Sequence, residues 1–302
     1  MKVAVMGAGA VGGYFGGVLA KSGADITLIA RGKHLEIMKE KGLLVKSYKG
    51  DFKVDIKAAS DPKEVGPVEL VIFTVKTYDT EEAIRLCRPM IRENTCILSL
   101  QNGVDNDEKI AKEVGWEKVI CGVAYIGVSV EKPGVICHSA AGKIALGELD
   151  GRITHRIRKI AEMFSVAGIP CEISKDIIKL KWKKLVWNAA FNALTTITKA
   201  SVAEVLSDAK LMEIAAAAMR EVIEVAQKKG IDIDDAAIQD ALTLSKNVGD
   251  FKTSMLQDFE SGRKTEVEAL NGIVLRKGRE VNVKTPVNQC LYSLVSFMEK
   301  KR

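Results

Sequence analysis

Two rhythms divide this chain. In the first half, short and almost wholly apolar runs alternate with amphipathic stretches. Residues 2–6, 25–30, 70–75, 96–100 and 119–130 carry few polar positions, as strands buried on both faces do. Runs 43–48 and 52–57 predict shorter strands. Between them, residues 11–22, 35–41 and 81–90 show helical spacing, the first two ending at Gly23 and Gly42, good helix stops. Alternation of this kind predicts a mostly parallel sheet covered by helices on both faces. From Ser174 onward the apolar positions recur at i, i+3 and i+4 and the β-rich runs vanish. Residues 174–198, 208–229, 234–249, 263–277 and 286–300 predict helices. The expected fold class is therefore an α/β N-terminal domain with a mostly parallel sheet, followed by an all-α C-terminal domain. The change of rhythm divides it into an α/β domain, 1–171, and a helical domain, 172–302.

Composition fits two medium-sized domains. Of 302 residues, 47% are hydrophobic and 28% charged, enough to build a core without covalent staples. The formal net charge of +6 is spread along the chain. It argues against a nucleic-acid partner and suits a polyanionic cofactor and a carboxylate substrate. Six cysteines form no C-x-x-C pair and read as buried reduced thiols. Three scattered histidines offer no ligand spacing, so no metal is expected. No apolar stretch reaches 18 residues and no basic leader precedes the first strand. The expectation is a cytoplasmic protein without a membrane partner.

The chemistry begins at Gly7-Ala8-Gly9-Ala10-Val11-Gly12. G-x-G-x-x-G alone is a weak signal. Here a strand precedes it, a helix comes after it, and a second strand ends about 20 residues on. Gly7 allows the tight turn, Gly9 lets the backbone approach a pyrophosphate, and Gly12 lets helix and sheet pack closely. The helix N-terminus then offers free N–H groups to the phosphates. An NAD-specific protein usually carries Asp or Glu at the end of the second strand. This chain has Arg31, with Lys33 close by. A cation there attracts a 2′-phosphate, so NADPH is the expected cofactor; the alternative is a solvated arginine. Lys76 and Asn102 each follow a buried strand, where ligands bind in open α/β sheets. Lys76 could add to the phosphate site, and Asn102 could bond the nicotinamide ribose or the substrate.

In the helical half, Lys184, Asn188 and Asn192 are spaced by four and share one helix face, flanked by Leu185, Val186, Trp187 and Phe191. If buried, such a stripe needs polar partners, which a carboxylate and a carbonyl would supply. A lysine in a partly dry cleft has a lowered pKa and is a workable general acid. Periodicity alone favours a solvent-facing stripe of an amphipathic helix. Ser254 and Glu266 read by themselves as helix-end and surface residues.

Taken together, GAGAVGG, the VK-T after a buried strand, QNG, the helix W-K-K-L-x-x-N-x-x-x-N and the run TSMLQD…GRKTEVEALNG resemble the ketopantoate reductase (2-dehydropantoate 2-reductase) family over nearly the whole chain. The resemblance implies NADPH-dependent reduction of a small 2-keto acid, ketopantoate, to D-pantoate on the way to pantothenate and coenzyme A. It places the active site in a cleft between a Rossmann and a helical domain. By motif, Lys184 would protonate the developing alkoxide and stabilise it. Asn188 and Asn192 would orient the substrate, and Ser254 would bind its carboxylate. Glu266 would contact the cofactor ribose or the substrate and help place Lys184. Arg31 and Lys76 would take the adenosine phosphate side and Asn102 the nicotinamide side. Relatives with the fullest pocket carry asparagines where this chain has Val202 and Phe251. The keto acid thus stays open, with branched or aromatic 2-keto acids as alternatives. A non-catalytic NADP-binding regulator and a 3-hydroxyacid-type dehydrogenase are the competing classes. The apolar periodicity of the helical domain would suit a homodimer, but the sequence does not fix the oligomeric state.

Overall fold

The computed structural model describes residues 1–248 and 251–302, with residues 244 and 246–248 as backbone only. It divides into two compact units. One comprises residues 1–101 and 106–177, the other residues 102–105 and 178–302.

The first unit runs β1 (Val3–Met6), α1 (Ala10–Lys21), β2 (Ile26–Ile29), α2 (Gly32–Lys41), β3 (Leu43–Ser47), β4 (Phe52–Val54), β5 (Lys57–Ala59), α3 (Pro62–Val65), β6 (Leu70–Phe73), α4 (Thr80–Leu86), β7 (Cys96–Ser99), α5 (Asn106–Val114), β8 (Val119–Lys132), β9 (Val135–Gly147), α6 (His155–Val166) and β10 (Cys171–Ile173). All ten strands join one sheet in the order β4-β3-β9-β8-β7-β6-β1-β2-β5, with β10 also on β9. It is parallel except for the β3–β4 and β8–β9 pairs. The continuously apolar strands now have their reason. Val3 and Val5 enter one core and Ala4 and Met6 the other; Leu70 and Ile72 separate from Val71 and Phe73 in the same way. Period-two alternation feeds a core on each face, so neither parity can be polar.

The second unit is helical: α7 (Ile177–Thr198, its first residue still in the first unit), α8 (Val202–Ser207), α9 (Ala209–Lys228), α10 (Ala236–Val248), α11 (Ser254–Glu260), a π-helical turn (Glu268–Gly272), α12 (Ile273–Glu280) and α13 (Pro286–Lys300). Its core gathers Trp182, Leu185, Val186, Phe191 and Leu194 of α7 with Met219 and Val222 of α9 and Leu270, Ile273 and Val274.

Several expectations change. The single strand expected at 52–57 is two, broken at Asp55-Ile56, one pairing with β3 and the other with β2. The strand at 119–130 is the first arm of a long antiparallel hairpin whose second arm, β9, the residue pattern does not announce. That arm's Ser139-Ala140-Ala141-Gly142 weakens any strand signal, and neighbours on both sides supply its ladder. The helix expected at 263–277 does not form at its start: residues 263–266 are non-helical and a π turn comes next. The short helices α8 and α11 lie outside the helices expected from periodicity. The last residue of the helix expected at 234–249, Gly249, lies outside the described residues. The division expected at 171/172 falls at 177/178, because β10 adds to the first unit's sheet. Of the six thiols, Cys87, Cys96 and Cys121 are buried, Cys137 and Cys171 are half-buried, and Cys290 is exposed; none of the six is in a disulfide. Among the described residues no helix is long and apolar enough to cross a membrane.

Candidate active site

In the first unit the glycine loop leaves the C-terminal end of β1. Met6 is level with Ile29 of β2 and Phe73 of β6, which flank β1 on opposite sides. The chain thus switches direction across β1, the position where open α/β sheets bind ligands. Gly7 has φ +96°, and a Cβ there would lie 2.7 Å from the Val75 nitrogen. At Gly12 a Cβ would lie 2.4 Å from both the Gly7 carbonyl oxygen and the Thr74 hydroxyl. Gly9 is different: a Cβ would meet nothing within 4 Å. Gly7 and Gly12 are therefore demanded by the protein's own packing, and Gly9 is not. Ala8 is buried, and Ala10 and Val11 form the half-buried first turn of α1. Gly9 caps that helix with no side-chain hydrogen bond, so its N-terminal dipole faces an uncapped opening. Arg31 follows β2 as the exposed N-cap of α2, with an extended backbone. Lys76 follows β6 and is half-buried. Both stand at the same edge of the sheet as the loop.

These facts separate two substitutions. Gly12→Ala is expected to lower the melting temperature and the yield of folded protein, since backbone must shift. Gly9→Ala should melt within about 2 °C of wild type while raising the Kd of a dinucleotide about tenfold or more, by standing where the pyrophosphate approaches. Calorimetry and fluorescence titration read both; unaltered dinucleotide binding by Gly9→Ala would remove the loop from that role.

In the second unit the structure brings together Asn102, Lys184 and Glu266. The Lys184 ammonium donates to Asn102 Oδ1 at 3.0 Å, and Asn102 Nδ2 donates to Glu266 Oε2 at 3.1 Å. Three residues distant in sequence thus form one hydrogen-bonded line. Lys184 rises from the middle of α7, and Glu266 precedes the π turn and is 6% exposed. Burial pushes the Lys184 ammonium from its ordinary 10.5 down to about 8; the Glu266 carboxylate opposes this and the Lys181 ammonium adds to it. Lys181 is itself buried, one turn earlier on the same helix, and sequence reasoning does not single it out. Its i, i+3 spacing from Lys184 is visible in the sequence; its burial is not.

Further along α7, Asn188 and Asn192 are buried, at 5% and 2% exposure. This settles the stripe as an inward face. Asn192 Oδ1 is buried without a hydrogen-bond partner, an unsatisfied acceptor of the kind that marks a place for a ligand donor. Ser254 is the half-buried first residue of α11, and Thr253 before it caps the helix and shares a 2.7 Å hydrogen bond with Thr195 of α7. The segment carrying Asn102 is fastened by Asp105, which accepts from Arg276 of α12 at 3.2 Å. Arg276 also pairs with Glu268 of the π turn. Val202 is fully buried, its N–H donating to the Phe251 carbonyl at 3.0 Å, and Phe251 packs on the helical core.

A glycine loop at the sheet's switch point, with a desolvated lysine held by an asparagine and a carboxylate, defines a Rossmann-type oxidoreductase that binds a nicotinamide dinucleotide. Comparison with known proteins gives the family. Residues 3–151 match the family described as ketopantoate reductase PanE/ApbA, and residues 176–299 match its C-terminal domain. A 2-dehydropantoate 2-reductase of Archaeoglobus fulgidus is 35% identical over 298 residues, 99% of this chain and 98% of its own length. The crystal structure of a 2-dehydropantoate 2-reductase from Geobacter metallireducens superposes with a TM-score of 0.94 at 35% identity, covering 98% and 99% of the two chains. A ternary structure of D-mandelate dehydrogenase with NADH and anilino(oxo)acetate superposes equally well, TM-score 0.94, at 28% identity over 100% and 99%. The chain belongs to the ketopantoate reductase family.

Proposed function

We propose that this enzyme reduces 2-dehydropantoate to D-pantoate with NADPH, the step that serves pantothenate and coenzyme A synthesis. The observation that carries the reading is the Lys184–Asn102–Glu266 line, with the lysine lowered to about 8. A group meant to hand over a proton near neutral pH works best with a pKa near the operating pH.

The first unit fits the dinucleotide: the uncapped helix start and the open space at Gly9 suit a pyrophosphate, and the exposed Arg31 suits a 2′-phosphate, with Lys76 at the same edge. A nicotinamide dinucleotide held by these residues would supply the hydride for reduction of a keto group. The remaining work falls to side chains of the second unit. Lys184 Nζ donates a proton to the keto oxygen as the C=O bond becomes C–O⁻, and its charge stabilises that oxygen beforehand. Asn102 aims the ammonium, and Glu266 keeps it protonated at neutral pH. Asn188 and Asn192 orient the substrate's hydroxyl end, supported by the unsatisfied Asn192 Oδ1, which a substrate hydroxyl would fill. Ser254 takes the carboxylate. After release, Lys184 regains its proton from water.

The likeness to D-mandelate dehydrogenase, with the apolar Val202 and Phe251, favours a second reading: the same reduction on a 2-keto acid with a branched or aromatic side chain. One experiment separates them: NADPH and NADH oxidation monitored with ketopantoate beside pyruvate, 2-ketoisovalerate and benzoylformate. Highest kcat/KM for ketopantoate is expected. A higher value for benzoylformate selects the second reading, and tight NADPH binding without turnover of any acid would leave a regulator. A homodimer through the helical unit accompanies this proposal, supported by the exposed Leu294 and Phe297 on α13; light scattering reads the mass.

A further inference from the structure

A buried polar chain in the second unit takes no part in the chemistry above. Glu221 of α9 accepts three hydrogen bonds at the start of α13: from the Val287 N–H at 2.8 Å, the Asn288 N–H at 2.9 Å and Asn288 Nδ2 at 2.7 Å. Asn288 Nδ2 also donates to the Ala218 carbonyl at 3.0 Å, and its Oδ1 accepts from Asn271 Nδ2 at 3.0 Å. Asn271 Nδ2 donates again, at 2.8 Å, to the carbonyl of Ala189. Asn271 and Asn288 are wholly buried. A continuous line therefore runs from α9 through α13 and the π turn to α7. Apolar residues of the same size would pack this core at least as well, since buried polar groups only break even when fully paired. What this network adds, with Asn271 Oδ1 its one buried atom left without a partner, is a unique orientation.

The ends of the line show what is oriented. Ala189 lies next to Asn188 and five residues beyond Lys184 on α7. Asn271 lies within the π turn, five residues beyond Glu266. The Glu266 carbonyl accepts from the N–H groups of Ala269 and Leu270, at 3.0 and 3.1 Å, so the start of this turn carries Glu266 with it. A π turn holds one residue more than an α turn. It rotates the segment before it by about 100° against the helix after it. The direction in which Glu266 projects therefore depends on the register of this turn, and Asn271 ties that register to the helix carrying Lys184.

We propose that Asn271, held by Asn288 and Glu221, is a positioning residue that sets Glu266 against the Lys184 ammonium. The proposal rests on the reading of Lys184 as the proton donor. It predicts a kinetic signature that a purely structural residue would lack. Asn271→Leu keeps the volume and removes both donated bonds. It is expected to lower kcat about ten- to a hundredfold, as a misplacement of about 1 Å does. The KM for NADPH stays within about twofold, since the glycine loop belongs to the other unit. The alkaline fall of kcat moves below pH 8, because a displaced Glu266 no longer raises the lysine's pKa. Glu221→Gln, which keeps its shape and weakens the grip on Asn288, shifts the same limb in the same direction by less. A structural role alone would lower the melting temperature and leave the limb in place.

The test is the pH profile of kcat for wild type, both variants and Lys184→Ala, with melting temperatures. Wild-type kcat and an unmoved limb in folded Asn271→Leu overturn the proposal; if that variant does not fold, an unmoved limb in Glu221→Gln does so. If Lys184→Ala is as active as wild type, the reading of Lys184 has failed instead. If Lys184→Ala is inactive and Asn271→Leu behaves as wild type, only the positioning role has failed.

Discussion

Lys184→Ala is expected to lower kcat for keto-acid reduction about a thousandfold, a loss of about 4 kcal/mol of transition-state stabilisation. NADPH binding should survive, because the glycine loop and Arg31 lie in the first unit. In the proposed mechanism the same residue also sets the pH dependence. Burial holds its pKa at about 8, and reduction needs the protonated form. In the reductive direction kcat should be level below pH 8 and fall about tenfold per unit well above it. In the oxidative direction the neutral amine is required, so the rate should rise through the same pH. Stopped-flow rates in both directions check the pair. Parallel profiles in the two directions would show that Lys184 is not the proton carrier. Lys184→Arg is expected to be nearly as inactive as alanine, since a guanidinium keeps its proton at any working pH.

Arg31→Asp should raise the KM for NADPH about a hundredfold and leave that for NADH within a fewfold, because a charge-assisted contact to the 2′-phosphate becomes repulsion. Arg31 is exposed, so in the wild type the NADPH preference should also shrink with added salt. Equal effects of the substitution on both cofactors would assign Arg31 to the solvent.

How legible these features were depends on whether their cause is local. The glycine loop could be read because its constraints leave a local signature: a φ of +96° at Gly7, and no room at Gly12 for a Cβ beside the Gly7 carbonyl. The two-faced strands could be read because period-two alternation into two cores leaves no polar parity. The second strand of the β8–β9 hairpin could not. Its small residues Ala140 and Ala141 pair with Gly127 and Ile126 of β8, and its start pairs with β3, far earlier in the chain, where Leu44 lies beside Val135. Nor could the π turn, since TEVEALNG has good helical spacing and the bonds Asn271 makes there, to Ala189 and Asn288, join residues distant in sequence.

Lys184 shows the division most clearly. From the sequence came its residue type, its helix and its i, i+4 relation to Asn188 and Asn192, all matters of local geometry. Periodicity alone favours a stripe facing water, but it reports a face and not what covers it. The tertiary structure buried Asn188 and Asn192 and set Asn102, 82 residues earlier, and Glu266, 82 residues later, in line with the lysine. A lysine's proton affinity depends on desolvation and neighbouring charge. Both are properties of residues brought together by folding, so the pKa of about 8 belongs to the fold alone.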